Sequence, residues 1–387
     1  MRLVLRGVRT RLAALSLAAS LLGGAQELLR AACGPFSDVA ADAFCPLVLE
    51  IFYLGITTGT TPSTYDPSSL VSRLQMAAFL SRSVDGILRR SGRRAALGRF
   101  WTPQNEGVLG VTTVGDNPLH PVADGADVWV PSANSGTVSR VRASDGRLLE
   151  TWTGAASAAA AVSAAGMILV TGATPAGKLY RVLPTEPAGS VTTVADLGDS
   201  SFGLAFDGAR IWTANEGSVS IVTPGAALPW TVTTVAGDFG VLNGVVFDGA
   251  SIWVTDQNSR ALDKLDSSGA ILQTVTVGQA PQLPVFDGAN IWVPNFGSAS
   301  VSVVRPASGV VIATLTGNGL DSPTQAAFDG ERVLVTNIVG GIVSLWKAAD
   351  LSALGSVSTG IGSQPVGACS DGVNFWIAFR GNQLGRF

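Results

Sequence analysis

From residue 104 to residue 387 the chain alternates short apolar runs with polar, glycine-bearing turns, and the runs come in sets of four. Residues 243–278 show one set. Gly244 to Phe247 is a short apolar run and Asp248-Gly249 a tight turn, its glycine tolerant of positive φ. Ser251 to Thr255 then places Ile252 and Val254 on one side and Trp253 on the other, the period of two that a strand requires. Asp256-Gln257-Asn258 turns the chain, Ala261–Leu265 is a third run, Ser267-Ser268-Gly269 turns it again, and Ile271–Val277 alternates as the fourth. The pattern predicts four short antiparallel strands joined by hairpins.

The set recurs. Phe206-Asp207-Gly208 precedes Ile211-Trp212, Phe247-Asp248-Gly249 precedes Ile252-Trp253, and Phe286-Asp287-Gly288 precedes Ile291-Trp292. Weaker copies are Asp124-Gly125 with Val128-Trp129, Phe328-Asp329-Gly330 with Val333-Leu334, and Asp371-Gly372 with Phe375-Trp376; Ala165-Gly166 with Ile168-Leu169 is a degenerate one. The turn glycines at 125, 166, 208, 249, 288, 330 and 372 step by 39 to 42 residues, the period of a four-stranded propeller blade. One such sheet cannot bury both faces, whereas sheets stacked around an axis cover one another, with the recurring tryptophans in the gaps. The reading is therefore all-β: a seven-bladed β-propeller of four-stranded blades over 104–387. The last copy, from Gly367 to Phe387, holds only three strands. Residues 107–114 (GVLGVTTV) share a Thr-Val ending with 191–194 and 231–235, and are predicted to supply the fourth strand and close the ring, leaving no open edge.

The front of the chain has another texture. Four arginines, an uncharged stretch from Leu12 to Leu22 and the small residues Gly23-Gly24-Ala25 make 1–26 an expected export signal, its apolar part too short for a membrane span of roughly 20 residues. Residues 87–103, rich in arginine, read as a linker. Between them, 33–86 carries a Gly/Thr/Pro loop at 55–67 flanked by two apolar stretches, 47–54 and 69–80, expected to be helical, the second with Leu70, Leu74, Ala77 and Phe79 on one face. Cys33 and Cys45 are close enough in sequence to pair in an oxidising compartment; Cys369, in a predicted inner strand, reads as a buried thiol.

Residues 36–82 resemble one S-layer homology (SLH) module, through Phe36-Ser-Asp38-Val39, Leu54-Gly55-Ile56, Gly59, Tyr65-Asp-Pro67, and Val71-Ser-Arg73 leading to Met76-Ala-Ala-Phe-Leu80. The resemblance implies a small α-helical module and cell-wall polysaccharide as partner, with Arg73 at the arginine position of the binding motif; Ser72 and Gln75 replace its threonine and glutamate. The repeats resemble the YVTN, NHL and virginiamycin-B-lyase-like propellers, most visibly in the Asp-Gly-x-x-Ile-Trp-Val phrase. That likeness implies the propeller fold. The lyase chemistry it also implies uses histidines, acids and a magnesium ion, whereas this chain has one histidine, His120.

Composition narrows the function classes. The chain is 47% hydrophobic and 14% charged with 46 glycines, which excludes disorder and disfavours a helical bundle. Residues 1–100 hold twelve arginines and six acids; residues 101–387 hold 13 basic and 22 acidic residues. An acidic main domain offers no basic stripe for nucleic acid. No Gly-x-Ser-x-Gly elbow, His-Glu-x-x-His or phosphate-binding Gly-Lys loop is present. Candidate site residues therefore come from the loops that share one face of a propeller: His120, Asn134, Glu216, Asp256, Asn295, Asn337 and Arg380, with Asn215, Asp199, Asp238 and Asp321 beside them. Their oxygens suit calcium or magnesium, or serve only to close their own turns. His120, between Pro118 and Pro121, is a base, a ligand or incidental. The favoured function is a non-catalytic, secreted or cell-envelope propeller, without cofactor, that binds protein, peptide or glycan. The alternative is a metal-dependent lyase or lactone hydrolase of the same fold.

Overall fold

The computed structural model describes residues 110–387, apart from 174–175 and 361–363, together with scattered positions between 35 and 80. The chain divides into two compact units, Met1–Ala96 and Leu97–Phe387. The expected signal at 1–26, the linker 87–103, Cys33 and Arg73 lie outside the described residues. Among the described residues no helix is long and apolar enough to cross a membrane.

The second unit is an all-β propeller, and its repeat phrase has a physical basis. In Asp207-Gly208, Oδ1 of Asp207 accepts the N–H groups of Ala209 and Arg210 at 2.9 and 2.6 Å, closing the turn, while Gly208 sits at φ +97°. The other carboxylate oxygen accepts the indole N–H of Trp212 at 2.7 Å, which satisfies a polar atom on an otherwise buried ring. The same Asp-to-Trp bond forms between Asp124 and Trp129, Asp248 and Trp253, Asp287 and Trp292, and Asp371 and Trp376, all at 2.7–2.8 Å. In the sixth repeat Leu334 has no N–H to offer, and the Arg332 guanidinium takes the free oxygen of Asp329 at 2.8 Å.

Replacing Asp248 by Asn tests this division of labour. Asn keeps the acceptor for the turn but turns an NH2 group toward the Trp253 N–H. Chemical unfolding is expected to register a loss of about 1–3 kcal/mol, the cost of burying an unpaired donor. Asp266, whose Oδ1 receives only Ser268 and Ala270, is the control: Asp266→Asn should leave the midpoint in place.

The count of sheets differs from the reading above. Among the described residues the strands form six sheets, not seven: five of four strands and one of six. The cause is the 17-residue strand Thr231–Phe247. Its first part pairs with Ile211–Thr223, Val232 opposite Val222; its last part pairs with Ile252–Asp256, Val246 opposite Trp253. The loop expected to carry Asp238 between the third and fourth repeats is instead part of this strand, which joins the two repeats. The propeller thus has six blades, one of double width. At the other end of the chain Gly110–Thr113 pairs with Gln383–Arg386, giving the last sheet a strand from the start of the unit.

The core lies between the sheets. Trp253, Leu262 and Val275 of the double sheet pack against Ile291, Val293 and Val304 of the next one. Trp292, Trp346 and Val333 fill another gap, and Trp129 and Trp152, ring centres 5.1 Å apart, fill a third. Arg140, Arg210 and Lys264 lie over the faces of Trp129, Trp212 and Trp253, adding cation–π attraction where the rings near the surface.

The expected helical module at the front is not seen either. Its described residues give one short 3-10 turn, Ser37–Val39, and helical conformation only at scattered positions (45, 48, 51, 52, 76, 79 and 80), with no complete α-helix among them. Carboxylate-to-backbone bonds and ring packing hold the loop between them: Asp38 accepts the N–H groups of Tyr65 and Asp66, and Phe36 packs on Phe52 and Tyr65. Cys45 is disulfide-bonded; Cys369 is a free, buried thiol whose pKa burial raises, and it is inert there.

Candidate functional site

Antiparallel hairpins put two sets of loops at the same end of the propeller: those between second and third strands, and those linking successive repeats. The two sets bond to each other. Asn134 N–H donates to Asp116 O, Glu216 N–H to Asp199 O, Phe296 N–H to Ala280 O and Arg380 N–H to Gln364 O, at 3.0–3.2 Å. The loops so fixed surround a cavity of about 810 Å³.

Four of the sequence candidates line it: His120, Asn134, Glu216 and Arg380. Asp256, Asn295 and Asn337 do not. Each is buried to at least 99% and held by local bonds. Asp256 receives the N–H groups of Gly240, Asn258 and Ser259; Asn295 donates to Ser300 and Ser302; Asn337 donates to Val335 O, Ile342 O and Ser344, and accepts Asp321 N–H. These three close loops. The cavity also draws on residues that the sequence did not single out: Leu119, Phe202, Asn243, Gln282, Leu283 and Phe296 among them. Phe202 and Asn243 stand near the inner strands and look like ordinary core and turn positions in sequence, so only the ring closure brings them to one space.

His120 is the most constrained of the set. Its backbone bridges to Ala160, donating to Ala159 O and accepting from Ala161. Its side chain reaches Gln325, with Nδ1 2.8 Å from Oε1. The same Oε1 accepts the backbone N–H of Ala368 at 3.0 Å. A backbone N–H is only a donor, so Oε1 is the acceptor in both bonds and Nδ1 carries the proton. Gly367 lets this happen: a Cβ there would stand 2.0 Å from Leu119 O and 2.9 Å from both Gln325 Oε1 and the His120 Cα. Burial drives the His120 pKa down to about 4, against the opposing effect of the Gln325 bond, so the ring is neutral at ordinary pH. Asn243 donates to Gln282 at 2.5 Å, and Gln282 to Ala280 O, tying the double sheet to its neighbour at the same rim.

Among the described residues no group of three His, Cys, Asp or Glu side chains converges as a metal site requires. The histidine and acid set that the lyase resemblance implies for magnesium is not assembled: the single imidazole points one nitrogen into Gln325, and the carboxylate of Asp256 is committed to backbone N–H groups.

No family model matches the sequence. No curated relative matches it either. Solved structures do match in shape. A catalytically inactive histidine variant of virginiamycin B lyase from Staphylococcus aureus, solved with quinupristin, aligns at 14% identity and a TM-score of 0.60 over 72% of this chain and 98% of its own. A streptogramin B lyase aligns at 15% and 0.57, covering 73% and 96%. The WD40 propeller domain of Doa1 aligns at 12% and 0.61, also covering 73% and 96%. At these identities the likeness shows the fold alone: the second unit is a β-propeller.

Proposed function

We propose that the chain is a non-catalytic propeller that binds a protein or peptide across the mouth of its cavity, in an oxidising compartment outside the cytoplasm. The observation that carries the reading is the character of the mouth. It offers recognition groups in number, and among the described residues no three His, Cys, Asp or Glu side chains converge there. Asp116, Asp199, Glu216, Asp238 and Asp321 are exposed around it, against Arg260 and Arg380, so the rim favours a basic partner. Phe296 and Val339, 38% and 68% exposed, give the same rim an apolar shelf. The disulfide at Cys45 and the export-like pattern of 1–26 support the compartment.

Selection of a random displayed-peptide library on the full chain tests the proposal. Binders are expected to carry lysine or arginine, to compete with one another, and to weaken at least tenfold on Glu216→Arg or Phe296→Asp. Binders indifferent to both substitutions, or magnesium-dependent turnover of lactones or cyclic depsipeptides by the purified protein, would refute it.

A further inference from the structure

We infer that the cavity receives an aromatic side chain ending in a hydrogen-bond donor, a tyrosine or a tryptophan of the partner, with His120 Nε2 as its acceptor. The inference rests on the reading of the mouth as a protein-binding surface and names what enters it.

Three observations carry it. The first is an unspent acceptor. With the proton on Nδ1, Nε2 of His120 holds a lone pair. His120 is 5% exposed and lines the cavity, yet Nε2 bonds to no described residue and is not among the unpartnered atoms sealed from solvent. Its remaining surface therefore faces the cavity. The second is the wall. Leu119, Phe202, Leu242, Leu283 and Val366 line the same cavity, and the Phe202 ring stands 6.5 Å from the imidazole, inclined at 60°. The third is the entrance, where Phe296 and Ile338 continue the apolar surface outward.

An apolar body with a single donor at its tip fits this arrangement, and tyrosine and tryptophan are the side chains that have one. Phenylalanine would fill the walls but leave the imidazole lone pair unpaired in a desolvated place. Serine or a sugar hydroxyl would satisfy the lone pair and leave the walls wet. A lysine or arginine suits the acidic rim, but its charge would gain nothing from the neutral ring of His120. The volume is within the range that accepts a side chain with part of its flanking backbone.

The experiment uses matched probes on the untagged full chain: p-cresol against 4-methylanisole, and indole against 1-methylindole. Each pair differs by the donor hydrogen and a methyl group. Because the chain has one histidine, selective 15N labelling of histidine reports His120 without assignment. The free protein is expected to show the Nδ1–H tautomer. p-Cresol and indole should move the Nε2 resonance and bind at least tenfold more tightly than their methylated partners. His120→Phe should bring each pair within about twofold. Should that variant fail to fold, the comparison on the natural protein still decides. Equal affinities within each pair, binding that leaves Nε2 unmoved, or an Nε2–H tautomer in the free protein overturns the inference. Mouth-binding peptides without tyrosine or tryptophan would sink this inference alone; donor-dependent cresol binding without any peptide binder would sink the proposed function.

Discussion

Trp253→Ala is expected to destabilise the propeller by about 3–5 kcal/mol, read as a fall in the midpoint of chemical unfolding. The ring is fully buried and fills the space between the double sheet and the sheet of Ile291 and Val304. Truncation removes its contacts with Leu262, Val275 and Val293 and leaves a gap that strands on either side cannot collapse into, since their spacing is fixed by their own ladders. It also strands the Oδ2 of Asp248 and the Lys264 ammonium that lies 5.3 Å from the ring. Trp253→Leu should lose less. The sixth repeat shows why: there Leu334 is fully buried beside Phe375, and Arg332 occupies both the Asp329 oxygen and the face of that phenyl ring. A change at Trp253 no larger than at an exposed leucine such as Leu272 would show that the gap is not where the stability resides.

Acid is expected to weaken the fold by about 3 kcal/mol through His120 alone between pH 6.5 and pH 4. The sign follows from where the proton goes. In the unfolded chain the imidazole titrates at its ordinary 6.5, and in the folded chain burial holds it to about 4. Above 6.5 both states are neutral. Below it the unfolded state takes a proton that the folded state refuses, so stability declines with falling pH until the folded pKa is reached. Asp263 works in the opposite direction: burial, reinforced by the charge of Asp256 and opposed by Thr274, raises its pKa, and the folded state holds its proton more firmly. The histidine contribution is isolated by comparison with His120→Gln, whose stability should be flatter across this window. Parallel curves for the two proteins would show that the imidazole is charged in the folded state.

The propeller was legible because the Asp-Gly…Trp phrase is a complete local device. One aspartate closes a turn through backbone N–H groups within three residues and holds a tryptophan five residues on, so the signal survives in a short window. The fusion of two repeats was not legible. Ala236-Gly-Asp-Phe-Gly240 has the composition of a turn, and only the pairing at its two ends, Ala236 with Ser218 and Val241 with Glu216, carries the strand across it. In the front segment apolar spacing suggested a helical module; no complete helix is seen among the described residues, and what the spacing could not show is Asp38, which binds backbone 27 and 28 residues away. The site divided along the same line. Asn and Asp at loop starts were candidates on type alone, and in Asp256, Asn295 and Asn337 local backbone and serine hydroxyls absorbed them. His120 was visible as a lone, proline-flanked histidine, but what defines it is Gln325, 205 positions away, with Gly367 giving way between them. No neighbourhood in the sequence contains that triple.

The uninterrupted strand Thr231–Phe247 also sets how the ring can breathe. Wherever one sheet ends and another begins, neighbours are joined by side-chain packing and a few inner-strand bonds, and thermal opening can start there. Between the third and fourth repeats one strand crosses that boundary, so the amides of its two paired parts, 231–236 and 245–247, are expected to exchange hydrogen with solvent at similar rates. Widening that admits a large guest is then expected first at a boundary that no strand crosses, such as the one spanned by the His120 to Gln325 bond.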